Sequence, residues 1–156
     1  MDKIGYGALG LLVSLLLSGC DLAGGLSRTI RLASVPSPES TKAALESVPG
    51  IQITHREEFV GNGTRDRPDL YQFEFERSRD GVLEHGHVSM YRNLYGKGPT
   101  ILLSSLYFGD LSVPGSQAKR DRSLLNDVYK ALLRVDPELP ALNKVTEKAI
   151  RIDETR

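Results

Sequence analysis

Two glutamates and two histidines carry the most concrete chemistry in this chain. Glu74 and Glu76 stand two apart in one alternating run, and His85 and His87 stand two apart in the next. Residues i and i+2 of a strand point to the same side. Between the runs sits Asp80-Gly81, a strong signal for a two-residue hairpin turn. With that turn, Arg79 pairs with Val82, Glu76 with His85, and Glu74 with His87. Two imidazoles and two carboxylates then meet on one patch, a donor set suited to Zn²⁺ or Cu²⁺. The plainer reading of the same four residues is a solvated face with cross-strand Glu–His pairs, each worth about 0.2–1 kcal/mol. His55 lies on an adjacent run whose register the sequence leaves open.

Other chemistry is hard to find. Gly61-Asn62-Gly63 lacks the length and the lysine of a phosphate-binding loop. No serine occupies a nucleophile elbow. His87-Val88-Ser89 has the form of half a two-histidine phosphoesterase motif, with no second half in the chain. Lysine plus arginine number 20 and aspartate plus glutamate also 20. That balance argues against a nucleic-acid partner, which calls for a clustered basic surface. The expectation is a protein that is not an enzyme, with no cofactor unless the His/Glu patch takes up a metal.

The elements that must position the patch are legible. Leu70 to Arg77 alternates, with Tyr71, Phe73 and Phe75 on one side and Gln72, Glu74 and Glu76 on the other. The hairpin register sets Phe75 opposite Gly86, Phe73 opposite Val88 and Tyr71 opposite Met90, so that side is the core. A slip by one residue would mix the two faces. After the turn at Gly96–Pro99, a second hairpin is expected to set Leu94 opposite Leu102, Met90 opposite Leu106 and Val88 opposite Phe108. Tyr91, Tyr95, Ile101, Leu103 and Tyr107 then share the second face. Either the Ile30 segment or the C-terminal tail covers that cluster, or it binds a partner, as large apolar patches do.

Further strands are expected at Arg28–Val35 and Ile51–Val60. Ser37-Pro38-Glu39 offers a capping serine, a proline at the first helical position and an acid in the first turn, starting a helix that runs to about Ser47. A longer helix is expected over Lys119–Val135, where Leu124, Leu125, Val128, Ala131, Leu132 and Val135 form one stripe. Lys119, Arg120 and Arg122 open it, where the helix dipole disfavours cations. They are either an ordinary charged helix end or a contact for anionic headgroups. The tail from Lys144 to Ile152 suits a helix or an edge strand. The sum is an α+β domain, an antiparallel sheet of four or five strands with two helices packed on one face.

The N-terminus adds an address. Residues 4–17 carry no charge and follow Lys3. The run is shorter than the roughly 20 residues that span a bilayer and has the form of a signal peptide. It ends in Leu17-Ser18-Gly19-Cys20, which resembles the bacterial lipobox. The resemblance covers residues 1–20 alone. It implies cleavage before Cys20 and acylation of that residue, including an amide-linked chain of the palmitate type. One chain binds a membrane marginally, whereas several on one residue make a lasting anchor. It also implies that Asp21, following the acylated residue, favours the periplasmic leaflet of the inner membrane over the outer membrane. Residues 1–19 are then a cleaved signal, 20–27 the lipidated cysteine and a tether, and 28–156 one globular domain. Cys20 is the single cysteine, so stability falls to the packed core. The expected function is a membrane-tethered binding or assembly module of the cell envelope, including the immunity or inhibitor type, with a protein or lipid partner at Tyr91, Tyr95, Leu103 and Tyr107. The alternative is a metal-binding envelope protein using Glu74, Glu76, His85 and His87.

Overall fold

The computed structural model describes residues 23–108, 114–141 and 145–152. The segment expected to be a signal peptide, and Cys20, lie outside the described residues. In chain order the elements are β1 (Ala23–Arg31), α1 (Pro38–Glu46), β2 (Ile51–Phe59), β3 (Leu70–Arg79), β4 (Val82–Tyr91), β5 (Thr100–Phe108), α2 (Pro114–Val135) and β6 (Thr146–Ile152). The strands form one sheet in the order β2-β3-β4-β5-β1-β6, every pairing antiparallel. The class is α+β, and among the described residues the sheet has six strands.

Local chemistry explains the starts and turns. The Ser37 Oγ accepts a hydrogen bond from the Ser40 N–H at 3.1 Å, with Pro38 opening α1 behind it. The β3–β4 turn places both Asp80 (φ 52°) and Gly81 (φ 74°) in the left-handed region, the conformation a tight two-residue hairpin requires. The register that follows pairs Tyr71 with Met90, Phe73 with Val88 and Phe75 with Gly86. Gly86 has a steric role, since a Cβ there would stand 2.3 Å from the Phe75 ring.

Both helices lie on one face of the sheet, and the core fills the space between. Tyr71, Phe73, Phe75, Val88 and Met90 are at most 1 % exposed, as are Leu124, Leu125 and Val128 of α2. Tyr71 and Phe73 meet edge to face at 5.7 Å between centroids. The Tyr71 and Thr41 hydroxyls lie 2.6 Å apart, tying β3 to α1. Burial pushes the Tyr71 phenol well above its ordinary pKa of 10.0.

Besides the sixth strand and a start of α2 at Pro114 rather than Lys119, three expectations change. The second hairpin pairs Val88 with Leu103 and Met90 with Ile101, instead of with Phe108 and Leu106. The cause is the connection: β4 stops at Tyr91, and a 3₁₀ turn at Leu94–Gly96 takes up residues read as strand. The offset is odd, so it exchanges the faces of β5. Ile101 and Leu103 are therefore core residues, 1 % and 0 % exposed, and do not belong to the second face. Next, β1 starts at Ala23, inside the segment read as a tether, because Ala23–Thr29 gains ladder partners from β6 and from β5. Finally, the Ile30 segment and the tail both extend the sheet edgewise, so neither lies across the second face.

Candidate functional site

The face away from the helices is built by strand alternation. It receives His55 and Glu57 from β2, Gln72, Glu74 and Glu76 from β3, and His85, His87, Ser89 and Tyr91 from β4. Leu102 and Ser104 come from β5, and Thr29 and Arg31 from β1. No described helix or strand covers it. Ser89 and Ser104 sit low in the face, directly across the ladder from Leu102 and His87.

Glu76 is paired with His85 and Glu74 with His87, as the hairpin register demands. The His85 Nδ1 lies 3.3 Å from the Glu76 Oε1. The His87 Nε2 lies 3.2 Å from the Ser89 hydroxyl. Burial lowers the His87 pKa below the ordinary 6.5, with Glu74 pulling the other way. A bulge between Ile53 and His55 then sets His55 opposite Glu74, beside the patch. A shallow cleft of about 250 Å³ runs between the two strands, lined by Thr54, Phe75, Gly86 and the four Glu and His residues. Among the described residues, no group of three or more His, Cys, Asp or Glu side chains is arranged to hold a metal ion.

The residues expected to form the second-face binding surface separate. Tyr91 is half-buried on the open face. Tyr95 projects from the turn after β4, 88 % exposed and at φ 52°. Leu103 is in the core, and Tyr107 pairs with Gly24 in the β5–β1 ladder, its side chain outside the described residues. The structure adds apolar groups that alternation alone did not single out. Phe59 is 62 % exposed and Val60 38 %, at the same end of the sheet as Tyr95. Leu83 is 53 % exposed at the opposite end.

Two charged networks occupy the helix-covered side. Arg77 donates to Glu84 at 2.5 Å and to Asp127 of α2 at 2.7 Å, with Arg77 and Glu84 each 3 % exposed. Arg28, 4 % exposed, donates to Glu147, which also accepts from Arg122. Burial disfavours the Glu147 carboxylate, but hydrogen bonds from Arg122 and Arg28 outweigh it and lower its pKa. Parity could have found the first network: Arg77 continues the Tyr71–Phe73–Phe75 side, and Glu84 continues the Gly86–Val88 side. Charged residues at such positions need partners from a covering layer.

Among the described residues no helix is long and apolar enough to cross a membrane. Compared with known proteins, the chain matches no family model, no curated protein and no solved structure.

Proposed function

We propose that this chain is a lipid-anchored, non-enzymatic binding module of the bacterial cell envelope, which docks a protein partner on its open sheet face and on the adjoining end at Tyr95. The observation that carries the reading is the one-sided sheet: six strands, two helices, and both helices on the same face. An antiparallel sheet can leave one face in water, its outward-pointing residues then being mostly polar. This one is bordered by Tyr91, Phe59, Val60 and Tyr95, and aromatic side chains supply much of the energy of protein interfaces. The anchor rests on the lipobox-like Leu17-Ser18-Gly19-Cys20, with the periplasmic leaflet of the inner membrane as the favoured site.

Cys20→Ser is expected to move the chain from the membrane fraction to the soluble fraction; continued membrane residence would contradict the anchor. A photoreactive residue at Tyr91 or Tyr95 is expected to yield a discrete protein adduct in cells. A second reading is metal binding by Glu74, Glu76, His85 and His87, which line one cleft but whose side chains would have to converge further, since as placed they do not form a metal-holding group. It predicts that stoichiometric Zn²⁺ or Cu²⁺ raises the melting temperature, and that His87→Ala abolishes the rise.

A further inference from the structure

The covalent path from Cys20 to the sheet is short. Ala23, the first residue of β1, is three residues on, and three extended residues reach at most about 10 Å. The end of the sheet where β1 begins must therefore stand against whatever surface holds Cys20. The ladder identifies what else lies at that end. Ala23 pairs with Phe108 and with Ile152, and the tip of the β3–β4 hairpin at Arg79–Val82 is on the same side. The first half of α2 packs there too, with the Arg79 guanidinium donating to the Ser123 hydroxyl at 2.9 Å.

That end presents exposed cations. Lys119 and Arg120 are exposed and the Arg79 side chain is 52 % exposed, whereas Arg122 turns to Glu147, level with Arg28 further up β1. Against them stands Asp80, 93 % exposed at the hairpin tip. Glu84 is buried and neutralised by Arg77. A cleft of about 310 Å³ lies among these groups, lined by Arg79, Asp80, Val82, Glu84, Lys119, Arg120 and Ser123. Because α2 starts at Pro114, Lys119 falls beyond the first turn, where the dipole penalty on cations has faded. The exposed Leu83 is at the same end of the sheet, on the open face.

We propose that this end of the domain binds the phosphodiester headgroups of anionic phospholipids through Arg79, Lys119 and Arg120. The contact holds the strands upright on the bilayer, so that Tyr95 and Phe59 point away from it. The nine residues of β1 rise about 30 Å at strand spacing, which sets the distal end well clear of the headgroups. The proposal rests on acylation of Cys20.

The test uses the acylated full chain on phosphatidylcholine vesicles and on vesicles that also contain phosphatidylglycerol. An amine-reactive probe then reports Lys119, with the exposed Lys97 at the distal turn as internal control. The expected result is labelling of Lys119 about fivefold slower on the anionic vesicles, the factor one cation–headgroup contact supplies, with Lys97 unchanged. The double variant Arg79→Gln with Arg120→Gln, or high salt, should remove most of that difference. Equal labelling of Lys119 on both vesicle types, in a chain that sediments with both, overturns the headgroup contact and leaves the anchor intact. A chain that sediments with neither overturns the anchor reading and the proposal together.

Discussion

The two faces of the sheet solve opposite problems with the same strands. One face carries Tyr71, Phe73, Phe75, Val88, Met90, Ile101 and Leu103, all sealed beneath α1 and α2. The other carries His85, His87, Glu74, Glu76, Ser89 and Tyr91, with no described element above it. The sealed face even holds its charges internally, as Arg77 with Glu84 and Asp127, whereas the open face pairs its Glu and His residues across the ladder in contact with water. The sealed face therefore supplies stability, and the open face is the one proposed above to dock a partner.

Substitutions should reproduce that division, and the largest effect belongs on the sealed face. Phe73→Ala is expected to lower unfolding free energy by about 3–5 kcal/mol, measured by urea denaturation. A loss below about 1 kcal/mol would mean that the helices do not seal this face. Gly86→Ala comes next, since its Cβ would strike the Phe75 ring; overpacking of this kind costs about 1–3 kcal/mol.

A pH effect of the opposite sign is expected from Asp121 of α2. Burial raises its pKa above the ordinary 3.8, Glu84 adds to the rise, and Gln117, Ser105 and Arg120 oppose it. A carboxyl raised in the folded state is more protonated folded than unfolded, so it costs stability as pH rises through its window. Asp121→Asn is accordingly expected to stabilise the chain at pH 7, by about 1 kcal/mol, and to flatten stability between pH 4 and neutrality. Melting curves across that range check it; no gain at pH 7 would contradict the assignment.

The open face shows the smallest effects. Burial lowers the His87 pKa, so a modest loss of stability is expected as pH falls below its ordinary 6.5, and His87→Gln should abolish it. Tyr95→Ala should change stability by less than about 0.5 kcal/mol while weakening adduct formation with the partner. A large stability loss at Tyr95 would blur the distinction between the two faces.

The hairpin around Asp80-Gly81 was fully legible, because turn chemistry and alternation demand the same register, and with it the Glu74–His87 and Glu76–His85 pairs. The α1 cap and the α2 stripe were legible for the same reason. The second hairpin was not. Its connection carries left-handed residues at Tyr95, Gly96 and Gly98, and nothing in their types states how many residues the turn consumes. Leu103 was therefore assigned to the wrong face. The start of β1 was hidden because Gly24 and Gly25 have poor strand propensity, and two neighbouring strands override it. The tail fitted either periodicity until β1 offered it an edge.

The central claim is that the open face and its Tyr95 end dock a partner while the helix face does not. Site-specific photo-crosslinking in cells compares Tyr91, Leu102 and Tyr95 with Lys130 and Arg134 on the exposed side of α2. The account predicts one discrete adduct from the first set, lost in excess unlabelled chain, and none from the second. Adducts from the α2 positions alone, or none from Tyr91, Leu102 and Tyr95, would contradict it.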